Sequence, residues 1–319
     1  VKRRSSRVSE YPLGRFTHYG LWGTPMNLWS RSHSLQRKII TAIVLVGLLP
    51  LTLLLAITYV EERRALRDMT GVNFKEAAVE AARRIEMQIS RGMNEAQQLA
   101  TAPFLHTSVT EANRTYEGKD ANSIQRMIKD WQQRWRERDK QSEFPLFINR
   151  IVTNYLIRWH DIRKTDYVGI LVTDQQGALV VSSIPQVEYF YGKTPWWQAV
   201  VKGGSLKGYV GEIAFDPGFG THVIVVAAPI LDDTKGTVIG AVTILLRRDT
   251  IFHAIGEVTI GATGHAMLFS SEGVPVICPV LPPEAHTIRP ETISALVGAQ
   301  AGWTVAVDDS HGSKDALIG

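Results

Sequence analysis

The chain has 319 residues, of which 45% are apolar and 21% charged, proportions of a globular protein with material for one large domain or two small ones. Its single cysteine, Cys278, excludes an internal disulfide and leaves the redox compartment open. The formal net charge of +4 could point to nucleic acid, but its placement along the chain excludes that reading.

Residues 1–38 hold eight Lys or Arg (Lys2, Arg3, Arg4, Arg7, Arg15, Arg31, Arg37 and Lys38) against one acid, Glu10. This tail carries the whole positive excess, and the remainder of the chain is slightly acidic. The next segment, Ile39 to Val60, runs for 22 residues without a charge. At about 1.5 Å per residue a helix of that length reaches roughly 33 Å, enough to cross a hydrocarbon core about 30 Å thick. Pro50 inside it is tolerable in a membrane helix. A cleaved signal peptide would have an apolar region of only about 7–15 residues, closed by a small-x-small site. Tyr59-Val60-Glu61-Glu62 offers no such site, so an uncleaved transmembrane helix is expected at 39–60. The basic tail beside it predicts a cytoplasmic N-terminus and places everything after Val60 outside.

From Glu61 to about Ala100, Leu66, Met69, Phe74, Ala77, Ala81, Ile85, Ile89, Met93, Ala96 and Leu99 recur at steps of three to five, with charges between them. This predicts a long stalk helix over 61–100. Such a helix would extend about 60 Å, so its stripe must pack on the domain behind it, on a partner chain, or on both. An ordinary surface helix of one domain is the plainer alternative. Residues 101–165 mix helical stretches with polar linkers. Within them IKDWQQRWRERDK reads as a solvated helix face anchored by Trp131 and Trp135, and outside the cell a nucleic-acid role for this patch does not fit. Asn113-Arg114-Thr115 matches the N-glycosylation pattern, meaningful only in an extracytoplasmic eukaryotic setting.

At Tyr167 the character changes. YVGILVTDQQGALVVSS reads as strand, tight turn at Asp174 to Gly177, strand. A loop with Pro185 and Pro195 leads into YFYGKTPWWQAVVKGG. GYVGEIAFDPGFGTHVIVVAAPILDDTKGTVIGAVTILL then supplies three strands separated by DPGFG and DDTKG, both turn chemistry. Residues 167–246 are therefore predicted to form a five-stranded antiparallel sheet, crossed by a short helix around Trp196–Val201. An antiparallel sheet with helices on its faces is α+β. Residues 251–260 look like a linking helix, after which HAMLFSSEGVPVICP echoes the first strand–turn–strand theme as a second, smaller unit. AGWTVAVDD and KDALIG read as further strands, with Gly319 falling inside one, so the chain is expected to be a fragment.

Taken in order, several pieces resemble the double Cache (dCache) sensor domains of bacterial transmembrane receptors over about residues 39–319. They are the anchor with its long helix, TDQQGALVVSS, TPWWQAV, FDPGFGTHVIVVAAPILDDTKGTVIGAV and GATGHAMLFSSEGVPV. The resemblance implies two stacked PAS-like subdomains, a membrane-distal one at about 101–250 and a membrane-proximal one, incomplete here, at 251–319. It also implies a second membrane helix and a cytoplasmic output after residue 319, often a HAMP linker with a histidine kinase, cyclase or chemoreceptor region. Members that bind amino acids share a motif: a Tyr, an Arg five residues on, Trp-Tyr two residues later, a further Tyr, and an Asp near the end of the last strand. This chain keeps Tyr189, Trp196 and Tyr209 but has Thr194, Trp197 and Leu245 at the Arg, second-aromatic and Asp positions. Both charged groups that would grip an α-amino acid are missing, which argues against amino-acid sensing.

Read from the residues alone, Tyr189, Tyr191, Trp196 and Trp197 concentrate aromatic surface within nine residues, beside one cation, Lys193. Aromatic walls with a few polar handles suit a small-ligand pocket, where Lys193 could neutralise a carboxylate and the Tyr hydroxyls could hydrogen-bond. Tyr209 and Asp216 complete the candidate set, with Asp216 and His222 flanking the DPGFG turn. The plainer readings are also open. The two tryptophans could be core, although neighbours on a helix cannot both point inward equally; Lys193 could be a solvated loop charge, and Asp216 a turn residue. A neutral ligand or a monocarboxylate fits this inventory better than a zwitterion.

No G-x-S-x-G, H-E-x-x-H, phosphate loop or G-x-G-x-x-G occurs, so no catalytic residue is expected. GATGH precedes a strand, and His265 and Cys278 lack a second ligand pair, so neither a cofactor nor a metal is expected. The combined expectation is the ligand-sensing input module of a receptor in the bacterial inner membrane, most simply a sensor histidine kinase of a two-component system. Its sensor would be periplasmic or extracellular, and it would be a homodimer through the stalk helices. The rivals are a periplasmic partner-docking module with a filled distal core, the input region of a diguanylate cyclase or chemoreceptor, and a membrane-anchored extracytoplasmic enzyme.

Overall fold

The computed structural model describes residues 35–137, 150–185, 187–256 and most of 258–318. The basic tail up to residue 34 and the end of the IKDWQQRWRERDK run lie outside the described residues. The chain divides into two units, Val1–Arg64 and Ala65–Gly319.

The first elements are α1 (Leu35–Ile43), a widened π-turn (Val44–Leu48) and α2 (Leu49–Ala100). The widening has a covalent cause. Pro50 has no N–H, and its ring crowds the carbonyl four residues back; the π-turn, in which the Leu49 N–H reaches the Val44 carbonyl, opens the ladder at that point. The helical run Arg37–Ala100 contains a window long and apolar enough to cross a membrane, with mean hydropathy 2.7, and none of that window is buried within the chain. A core helix of a soluble domain would be covered.

In the second unit the apolar stripe of α2 is split between two faces. Ala81, Ala96 and Leu99 are buried, and Phe74, Ala77, Ile85, Ile89 and Met93 are half-buried. Leu66 and Met69 instead stand exposed, as do Val72, Val79 and Met87. The step of five from Met69 to Phe74 explains the break, since it turns about 140° around the helix. Two glycines mark the closest approaches: a Cβ on Gly71 would stand 2.2 Å from the Trp303 ring, and one on Gly92 3.0 Å from Leu246.

After α3 (Pro103–Arg114), α4 (Ala121–Glu137) and α5 (Arg150–Asp161) come β1 (Tyr167–Asp174) and β2 (Leu179–Ser182). A short turn, α6 (Pro195–Trp197), continues into a π-turn (Gln198–Lys202), and β3 (Tyr209–Asp216), β4 (Thr221–Leu231) and β5 (Val238–Arg247) come next. The five strands form one antiparallel sheet, as the sequence pattern predicts, and their order in it is β2-β1-β5-β4-β3. Register sorts its side chains. Ile170, Val172, Val226, Ala228, Ile230, Val242 and Ile244 join Leu99, Leu105, Val109 and Leu156 of the helices in the main core. Ala227 and Ala241 belong to a second cluster, closed by Trp196, Trp197 and Val200. Both faces are therefore covered, which makes the domain α+β.

The linking helix, α7 (Arg248–Gly256), begins directly after β5, three residues before the predicted start. Beyond it the described residues form two-stranded antiparallel ladders: β6 (Thr259–Ile260) with β7 (Gly264–His265), β8 (Leu268–Phe269) with β9 (Pro275–Ile277), and β10 (Thr304–Asp308) with β11 (Lys314–Ile318).

Candidate functional site

The site is built on the sequence TPWW. Thr194 is extended and Pro195 takes the first helical position, where its missing N–H is no loss, so the chain turns abruptly and presents two tryptophans. Both are buried, Trp196 to 5% and Trp197 to 8% exposure. This corrects the expectation that helical neighbours cannot both point inward. The turn lies between two surfaces instead of on one. Trp196 packs beside Tyr191, ring centroids 5.6 Å apart, while Trp197 donates its indole N–H to the Asp174 carbonyl at the tip of the β1–β2 hairpin, 3.3 Å away.

The aromatic loop is stitched to that hairpin. Tyr191 N–H donates to the Gly177 carbonyl (2.7 Å) and Leu179 N–H to the Tyr189 carbonyl (2.8 Å). Gly177 has φ +87°, and a Cβ there would fall 2.4 Å from the Gly192 nitrogen. Only glycine admits this approach.

The remaining candidates separate. Tyr191 and Tyr209 are half-buried and pack on the tryptophan cluster, Tyr209 directly opposite Ala227 in the register. Tyr189 turns to the other side, with its ring 6.0 Å from Trp135. Burial pushes the Tyr189 and Tyr191 hydroxyls well above the ordinary tyrosine range. Lys193 is exposed, with no ion pair among the described residues. Asp216 is a turn residue: its carboxylate accepts the Gly218 N–H at 2.8 Å, and its carbonyl accepts from Phe219 and Gly220. The structure thus gathers Tyr191, Trp196, Trp197 and Tyr209 and leaves both charged candidates outside the cluster.

Three residues escaped the sequence reading. Thr173 and Thr243 are 0% exposed, and the hydroxyl of each has no hydrogen-bond partner among the described residues. Thr243 is paired with Ala227 on one side and Leu171 on the other, and Thr173 with Ala241, so both share the face that Trp196 and Trp197 close. A further buried threonine without a partner, Thr153, lies on α5. The only signal in sequence is one threonine within each apolar strand, YVGILVTD and VIGAVTILLR.

The third is Asp174, 1% exposed. One carboxylate oxygen accepts the Tyr116 hydroxyl at 2.5 Å, and the other accepts the Gln176 and Ala178 N–H groups at 2.8 and 2.9 Å. Burial pushes this carboxyl above the usual range, and the hydrogen bonds only partly pull it back.

β1 also begins at a buried acid. Glu95 of α2 accepts the Tyr167 hydroxyl and the Arg163 guanidinium, each at 2.8 Å, and that guanidinium lies over Trp159 at 4.1 Å. Asn113 is occupied structurally, donating to the Ile239 carbonyl and accepting the Gln175 N–H. Elsewhere, Arg248, Phe252 and Cys278 help line a cavity of about 270 Å³ beside β9.

No protein-family model and no curated protein matches the chain. Solved structures do. The sensor domain of the V. cholerae histidine kinase DctB is 14% identical, with a TM-score of 0.39 over 60% of this chain and 60% of that one. The sensory domain of the Campylobacter jejuni chemoreceptor Tlp3 (CcmL) is 12% identical, with a TM-score of 0.38 over 71% of this chain and 87% of that one. The ligand-binding domain of the Pseudomonas aeruginosa PAO1 amino acid chemoreceptor PctB, in complex with L-Arg, is 17% identical, with a TM-score of 0.37 over 69% and 72%.

Proposed function

We propose that the chain is the extracytoplasmic ligand-sensing input module of a transmembrane receptor, with the ligand received on the sheet face closed by Trp196 and Trp197. The pair of fully buried, unpartnered hydroxyls of Thr173 and Thr243 on that face carries the reading. A buried polar group left unsatisfied costs about 1–3 kcal/mol, so a ligand that hydrogen-bonds the pair would recover that cost on binding. The aromatic contacts would be Tyr191, Trp196, Trp197 and Tyr209, with Tyr189 on the other side against Trp135, and with Lys193 and Asp216 outside the cluster.

The apolar window after a basic tail supports placement in a bacterial inner membrane with the N-terminus cytoplasmic. Exposed Leu66, Met69, Val72, Val79 and Met87 on α2 support pairing of two stalk helices in a homodimer. The output region of the full protein would be a histidine kinase, or failing that a cyclase or chemoreceptor.

The test is a thermal-shift screen of the full chain in detergent against organic acids, amino acids, amines and sugars. A ligand at 100 times its Kd stabilises the fold by about 2.7 kcal/mol, a clear rise in melting temperature. A hit lost in Thr173→Val or Trp197→Ala supports the site. Silence from a well-folded protein favours the second reading, a docking module, for which β3 is the relevant surface: it is an edge strand with Val210 and Phe215 exposed.

A further inference from the structure

We infer that the ligand taken on the Trp196–Trp197 face is a small, uncharged molecule carrying hydroxyl or amide groups, such as a short polyol or a primary amide. This rests on the sensing reading above and deepens it.

The ligand class is set by which charges reach the face. Register places uncharged side chains around the threonine pair, Leu171 of β1, Ala241 of β5 and Ala227 of β4, with Tyr209 of β3 opposite Ala227; Arg247, four residues beyond Thr243 on the same face, donates to the Lys164 carbonyl. The turn that closes it contributes indoles and Val200. Lys193 and Lys202 are exposed. The Asp174 carboxylate is committed to Tyr116 and its own turn amides, and the Asp216 carboxylate to the Gly218 N–H. With Lys193 solvent-exposed and the nearest carboxylates already hydrogen-bonded, a carboxylate or ammonium bound there would leave water with only weak compensation. An uncharged ligand has no such penalty. Threonine hydroxyls donate and accept, so the pair can satisfy an alcohol or an amide equally well. Ala227 and Ala241, registered opposite the two threonines, are short, but the space over them is closed by Trp196 and Trp197, which holds the ligand to a few heavy atoms. The flanking indoles give its C–H faces an apolar wall.

The test uses the full chain in detergent and two matched sets of probes at millimolar concentration: lactamide, glycerol and erythritol against lactate, L-alanine and ethanolamine. Members of the uncharged set should raise the melting temperature, with affinity falling tenfold or more in both Thr173→Val and Thr243→Val. Without probe, both variants should melt at or above the temperature of the parent, because each deletes a buried hydroxyl that has no partner. A fall in both unliganded variants would mean the hydroxyls are paired within the fold, and would overturn the inference. So would uncharged probes whose binding ignores both substitutions. Charged probes that bind and are lost in the valine variants would overturn the uncharged class while sustaining ligand sensing. Silence in both sets, with a normal melting transition, would overturn the two together.

Discussion

The Asp174 carboxylate sits where water cannot reach it, yet it organises the hairpin that holds Trp197. Its folded-state pKa is raised above the unfolded value of about 3.9, so the native state holds the proton more tightly than the unfolded chain. Stability contributed by this group therefore rises as pH falls from neutral through the raised value, and is lost as pH climbs back through it. Asp174→Asn keeps an acceptor for the turn amides and should flatten that dependence with little loss of stability. Asp174→Ala strands the Tyr116 hydroxyl and two amides and should cost about 2–3 kcal/mol in urea unfolding. Gly177→Ala combines a left-handed φ with a backbone collision at Gly192, and should cost about 2 kcal/mol or more by the same measurement. At this scale the aromatic loop was legible, because TPWW is conspicuous. The threonine pair was not, because whether a buried hydroxyl has a partner depends on what the chain folds over it.

The helix α2 was legible as a period and illegible as a surface. Steps of three to five predict one stripe, but the single step of five between Met69 and Phe74 turns the pattern far enough to leave Leu66 and Met69 uncovered. Nothing in the local sequence names the partners of Gly71 and Gly92, which are Trp303 and Leu246, more than 150 residues away in the chain. Glu95 is similar: in sequence it is one more charge on a polar face, whereas in the fold it binds Tyr167 and Arg163. Tyr167→Phe should cost about 1 kcal/mol, the net worth of one hydrogen bond. Glu95→Ala should cost more, about 2–3 kcal/mol, since it leaves a tyrosine hydroxyl and a partly covered guanidinium together. Chemical denaturation of both variants checks the ranking.

For the whole molecule, the five antiparallel strands could be read from alternation and turn chemistry, because β1 joins β2, β3 joins β4 and β4 joins β5 through local turns such as DPGFG and DDTKG; the placing of β1 beside β5 is non-local and was not legible. The region after α7 was less legible, since its ladders are two to five residues long and carry little periodicity. On the proposed reading, the uncovered side of α2 is where two chains meet. Cysteines introduced at Leu66, Met69 and Met87 should form intermolecular disulfides whose yield changes when a ligand found by the screen is added. The native Cys278 is buried and should contribute little background. Equal yields with and without bound ligand would separate sensing from helix rearrangement.

β1 carries an acid–tyrosine pair at each end: Glu95 with Tyr167 where it begins, Asp174 with Tyr116 where it stops. Between them the strand lies inside its sheet, paired with β5 along its length and with β2 at Leu171, Val172 and Thr173. An extended chain fixed at two points behaves as a tendon. Held at both ends, it should pass a displacement of α2 at Glu95 toward the hairpin tip. Its amide protons should accordingly be among the slowest in the protein to exchange with deuterium, and loosening either anchor should speed exchange along the full length of the strand, not only at the severed end.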